Sequence, residues 1–190
     1  SNVVVNNTSG GLNQASNTNI AVISSLHVLS GDINAGNNNI TVDGNTENSF
    51  NINNTGSGYF ICGSPTSGIQ TISGNGNGTF GNFRVNNSAG INISAPLTIN
   101  GNMHFTTGLF YINNHLLTFG TNAVVSGSFS TGNMIRMNGV TSDAGVRKLF
   151  PAAPQSFTFP VGITMKYTPA TINVTTNSVA GTVTLKPVNA

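Results

Sequence analysis

The chain has 190 residues, of which 5% are charged, against roughly 25% in an ordinary soluble domain. A net charge of +2, from six basic and four acidic residues, is too weak a field for nucleic-acid binding. A single cysteine, Cys62, excludes an intramolecular disulfide framework, and no run of 18 apolar residues is present to cross a membrane as a helix.

Solubility must then rest on amides, hydroxyls and backbone. The 31 Asn and 23 Gly residues both tolerate positive φ, so the composition asks for many tight turns. Helix formers are scarce and no window shows a 3.6-residue apolar stripe, so essentially no α-helix is expected.

Taken in order, the chain is a series of apolar–x–apolar triplets. Val3/Val5, Ile20/Val22, Leu26/Val28, Ile40/Val42, Phe50/Ile52 and Phe60/Cys62 come first, with loose Asn- and Gly-rich spacing. From Phe83 to Phe119 the triplets tighten: Phe83/Val85, Ile91/Ile93, Leu97/Ile99, Met103/Phe105, Phe110/Ile112 and Leu117/Phe119. Period-2 alternation puts both apolar side chains of a triplet on one face of a short strand. Val124-Val125, Phe129 and Ile135/Met137 read as one more irregular coil. Longer alternating runs follow, Phe157/Phe159/Val161, Ile172/Val174 and Val183/Leu185, which suit antiparallel strands.

Strands this short bury too little alone, whereas stacked coils share their backbone ladders. Every third triplet recurs after 19 or 20 residues: Phe83 to Met103, Ile91 to Phe110, Leu97 to Leu117. The reading is an all-β, right-handed parallel β-helix over residues 1–148. An antiparallel β-cap or incomplete β-sandwich follows over 149–190. An antiparallel meander is the alternative, but it needs primed-turn signals such as Asn100-Gly101 at every reversal. This arrangement is expected to place Arg84, Asn92, Thr98, His104, Tyr111 and Thr118 outward. It stacks Arg84 beside His104, Asn92 beside Tyr111 and Thr98 beside Thr118. Corner asparagines at 86–87, 102 and 113–114 suit the left-handed conformation, and asparagines repeated coil on coil form amide ladders.

Catalytic signals are weak. Glycoside hydrolysis needs two carboxylates at a set separation, and only Asp32, Asp43 and Glu47 lie in adjoining turns; Asp143 is distant. They read as turn-forming or solvated acids. His27, His104 and His115 lack metal-ligand spacing and nearby Cys or carboxylate partners. Residues 32–47 form the one calcium candidate. Cys62 reads as a buried core residue. Gly74-Asn-Gly-Asn-Gly78 lacks the Lys and helix of a phosphate cradle. No cofactor is expected, and the chain reads as non-enzymatic. Tyr59, Tyr111 and Tyr167 are the candidate glycan contacts.

Gly78-Thr-Phe-Gly-Asn-Phe-Arg-Val-Asn-Asn87, Ala89-Gly90-Ile91, Pro96-Leu-Thr-Ile-Asn-Gly101 and Phe157-Thr-Phe-Pro-Val-Gly162 resemble a repeat pattern of large secreted and cell-surface β-helix proteins of the Bacteroidota. The resemblance covers about residues 78–170. It implies an adhesin-like segment of a longer chain, secreted or at the bacterial surface and exported by the type IX secretion system. The implied function is a structural or adhesive stalk, and a carbohydrate-binding, less so degrading, module is the alternative. Implied partners are other domains of the same chain, secretion or gliding machinery and surface glycans, with no membrane insertion. The start at Ser1-Asn2 and the alternation running to the last residues suggest an excised segment.

Overall fold

A computed structural model describes residues 2–63 and 68–189. It is all-β, a β-solenoid of about six turns with antiparallel strands at the end. The first coil holds β1 (Val3–Asn6), β2 (Leu12–Asn13) and β3 (Ile20–Val22). The second holds β4 (Leu26–Ser30), β5 (Ile33–Gly36) and β6 (Ile40–Val42). Next come β7 (Thr46–Asn48), β8 (Asn51–Asn54) and β9 (Phe60–Cys62), then β10 (Gln70–Ser73), β11 (Thr79–Phe80) and β12 (Phe83–Asn86). The fifth coil is β13 (Ile91–Ile93), β14 (Leu97–Ile99) and β15 (Asn102–Thr107), and the sixth is β16 (Phe110–Asn113), β17 (Leu117–Phe119) and β18 (Val124–Gly127). Strands β19 (Ile135–Met137), β20 (Val146–Phe150), β21 (Gln155–Phe159) and β22 (Val161–Ile163) follow. The chain ends in β23 (Lys166–Tyr167), β24 (Ala170–Val174) and β25 (Gly181–Leu185).

Every third strand stacks, which generates three sheets. Sheet A runs β1-β4-β7-β10-β13-β16-β19-β22-β23, sheet B runs β2-β5-β8-β11-β14-β17-β20-β25, and sheet C runs from β3 through β6, β9, β12 and β15 to β18. The expected stacking registers hold: Arg84 lies opposite His104, Asn92 opposite Tyr111, and Thr98 opposite Thr118. The Asn13–Asn34–Asn53 side chains form an amide ladder on sheet B, each step 2.9 Å. Of the named corner asparagines, only Asn113 has positive φ, at 50°.

Each sheet sends two columns of side chains into the solenoid interior, and one column of each of two sheets illustrates the packing. In sheet B it runs Ile33, Ile52, Phe80, Ile99, Phe119; in sheet C it runs Ile40, Phe60, Phe83, Met103. These side chains are essentially sealed from solvent. Phe83 packs against Phe60, Phe80 and Phe110 at centroid separations of 5.2–5.7 Å. Each buried aromatic contributes about 1.5–3 kcal/mol through area alone.

Several strands differ from the sequence reading, for one physical reason. The N-terminal coils stack in the same three sheets, with longer connections between β9 and β11 as the loose spacing suggests, but some turn polar side chains inward. Thr46, Asn48, Asn54 and Gln70 are buried in the interior, so period-2 hydrophobicity does not mark β7 or β10. Phe50, read as an inward partner of Ile52, precedes β8 and is exposed; the inward pair is Ile52 and Asn54.

The division at residue 148 is also modified. β20 and β22 stack in parallel on β17 and β19, so parallel pairing reaches Gly162. The antiparallel strands do not make a separate body. β25 pairs on β20 and β23 on β22, finishing sheets B and A, while β21 pairs with β24. The terminal strand ends at Leu185 rather than running on.

Candidate functional site

The outward row of sheet C passes through Thr41, Ile61, Arg84, His104 and Ser126. Alternation drives these side chains out because Phe83/Val85 and Met103/Phe105 fill the core. Tyr59 stands just before β9. Its ring runs along the sheet beneath Arg84, whose guanidinium carbon sits 4.3 Å from the ring centroid. Beyond Arg84, the Tyr59 hydroxyl accepts a hydrogen bond from Asn102 Nδ2 at 2.9 Å. Asn102 Oδ1 accepts from Ser126 Oγ at 2.9 Å, and Ser126 Oγ lies 2.9 Å from His104 Nδ1.

This order of bonds assigns the protons. Asn102 spends an amide N–H on Tyr59, and Ser126 spends its hydroxyl proton on Asn102. His104 Nδ1 therefore carries the proton that Ser126 accepts. The Tyr59 O–H remains free to donate. Burial first, and the Arg84 guanidinium second, hold the His104 imidazole below its ordinary pKa. Arg84 Nε is buried and has no hydrogen-bond partner. On sheet A, His27 Nδ1 meets Glu47 Oε2 at 2.9 Å, and Arg84 has no salt bridge to a carboxylate among the described residues.

The three tyrosines singled out by sequence are not brought together. Tyr59 flanks sheet C, while Tyr111 and Tyr167 lie on β16 and β23 of sheet A. Arg136 covers Tyr111, with its guanidinium carbon 5.2 Å from the ring centroid. Tyr167 stacks on Phe129 at 6.4 Å and 22°, and burial raises its phenol pKa.

The acids separate as well. Asp32 Oδ1 accepts from Asn51 N and Nδ2 at 3.2 and 2.9 Å. Glu47 engages His27, so the sequence view that the histidines lack a carboxylate neighbour is corrected: His27 and Glu47 are 20 residues apart but directly opposite in the ladder. Asp143 is buried and accepts from Asn138 Nδ2, Gly139 N and Val140 N, which makes it a turn-forming acid. Among the described residues no three of His, Cys, Asp or Glu converge as a metal site. Cys62 is a core residue beside Phe60, and burial pushes its thiol pKa far up, away from the reactive thiolate.

Lys148 escaped the sequence reading. It occupies the apolar column of sheet B, next to Phe119, and is fully buried. Its Nζ donates to Gly120 O at 2.7 Å and Thr121 O at 2.6 Å, with the Phe157 ring 5.3 Å away. Burial pushes its pKa down to about 8. The signal was present: Val146, Lys148 and Phe150 alternate with Arg147 and Leu149, so the period alone put the lysine inward.

No protein-family model, curated protein or solved structure matches this chain.

Proposed function

We propose that this segment is a rigid stalk or spacer in a bacterial secreted or cell-surface protein. The observation that carries the reading is the continuous parallel stacking of three sheets around one mainly apolar interior, as far as β18 in sheet C, β20 in sheet B and β22 in sheet A. Each interior strand is hydrogen-bonded on both sides, so bending or cleaving the shaft requires breaking two ladders at once. With a strand spacing of about 4.8 Å, six coils advance the chain about 29 Å in a body with very few charges. The motif resemblance to Bacteroidota surface repeat proteins supports the location and export by the type IX route. Its partners in this reading are neighbouring domains of the same chain.

The mechanical part is tested by single-molecule pulling on the segment between two handle domains. The expected trace holds to higher force than the handles' flexible linkers and then releases in coil-sized steps. Extension at negligible force overturns the spacer reading. The location is tested by surface labelling of intact cells of the source organism; labelling that appears only after lysis overturns that part.

A further inference from the structure

We propose that the outward face of sheet C around Arg84 binds the carboxylate or sulfate groups of an acidic polysaccharide. This goes beyond the spacer reading and does not depend on it.

The groups presented there are donors without an acceptor. Arg84 donates to no acceptor among the described residues, and its Nε is buried and unpartnered. Its guanidinium carbon sits over the Tyr59 ring, 4.3 Å from the centroid, which holds the cation in place before any ligand arrives. The Tyr59 hydroxyl, already accepting from Asn102, has its own proton to give. Asn102 and Ser126 satisfy one another, so the network hands no lone pair to the cation. Such an array complements a planar or tetrahedral oxyanion, which an arginine fork takes in a bidentate manner.

The surroundings choose the carrier. Arg84, Tyr59, Asn102 and Ser126 are partly exposed on a sheet face, so a lone small anion would gain only a solvent-screened charge pair. The face offers one such cation, and a polymer chain adds to that single pair its contacts with the side chains of the same face. The backbone of β9, β12 and β15 is consumed by its own ladder, which leaves no edge for an extended peptide to join. Sugar hydroxyls instead meet the neutral amide and hydroxyl side chains beside the arginine.

The test is surface binding of the folded 190-residue chain to immobilised polygalacturonate, dextran sulfate, neutral dextran and poly-glutamate. Both acidic polysaccharides are expected to bind and neutral dextran is not. Arg84→Gln is expected to weaken binding at least tenfold and Tyr59→Phe severalfold, with melting temperatures confirming that each variant folds. Arg136→Gln, which alters the other arginine–tyrosine pair on sheet A, is expected to stay within twofold of the parent. Arg84→Lys keeps the charge but not the fork and is expected to retain only part of the affinity. The proposal is overturned if neither acidic polysaccharide binds, if poly-glutamate binds more tightly than both, or if Arg136→Gln costs as much as Arg84→Gln.

Discussion

Replacing Gln70 by Met tests whether the polar interior of sheet A stabilises the fold. The two side chains have similar volume, so the change deletes hydrogen bonds without opening a cavity. Gln70 Nε2 donates to Val42 O and Gly44 O, both at 2.8 Å, and its Oε1 accepts from Asn87 Nδ2 at 3.1 Å. Gln70 and Asn87 are both buried, so water does not take over these bonds. Val42 O retains the Gly63 N–H at 3.3 Å, and Asn87 Nδ2 retains Gly68 O at 3.0 Å. The loss therefore falls mainly on Gly44 O. Gly44 is half-buried, so its carbonyl costs about 1 kcal/mol and the lost amide–amide bond about 1 kcal/mol more, and Gln70→Met is expected to destabilise by about 2 kcal/mol. Urea unfolding followed by far-ultraviolet circular dichroism measures it. A midpoint equal to or above that of the parent, with unchanged m-value, would show that apolar filling outweighs the hydrogen bonds, and the reasoning would fail.

Thr46 offers the opposite case. Its Oγ1 is buried with no partner, so Thr46→Val is expected to be neutral or to stabilise by about 1 kcal/mol in the same assay. Gly108 sits at φ +104°, and a Cβ there would stand 1.8 Å from Asn87 O. Gly108→Ala is expected to destabilise by more than about 2 kcal/mol because the obstructing atom is backbone, read as a lower melting temperature. Lys148, with its pKa pushed down to about 8, binds its proton less tightly in the folded chain than in the unfolded one. Between pH 8 and about 10.5 the unfolded chain holds the extra proton, so this group's contribution to stability rises with pH. Melting temperatures of parent and Lys148→Met across that window are expected to differ by a term that climbs with pH and flattens below pH 8.

The columns of the solenoid were legible because apolar side chains marked them. Phe83/Val85 and Met103/Phe105 announce both their strands and their inward faces, and the recurrence near 20 residues announces which strands stack. β7 and β10 were illegible for the converse reason. Thr46, Asn48 and Gln70 look like loop residues until the neighbouring coils provide their partners, as Val42 O and Gly44 O do for Gln70. The sheet C network was half legible. The Arg84–His104 neighbourhood follows from the period, but Tyr59 reaches Asn102 across 43 positions of sequence. That contact depends on how far a tyrosine ring extends along a sheet, which triplet spacing does not encode. The His27–Glu47 pair is invisible to proximity along the chain, because in a solenoid the nearest neighbour lies one coil away.

Coil length itself explains why rows, and not spacings, bring side chains together here. Leu26 to Thr46 and Ile40 to Phe60 are 20 residues apart, but Thr46 to Ile72 is 26 and Ile52 to Phe80 is 28. Phe119 to Lys148 is 29. The added residues lie in connections between strands, such as 74–78 and 128–134, and the interior columns continue above and below them. A loop closes at a free-energy cost that grows only as the logarithm of its length. A sheet register that slips by one residue instead turns an entire apolar face toward water. The connections therefore absorb length changes while the ladders hold. Tyr59 and Arg84 meet across one of these lengthened coils, so their contact is set by the ladder joining β9 to β12 and not by the 25 positions between them.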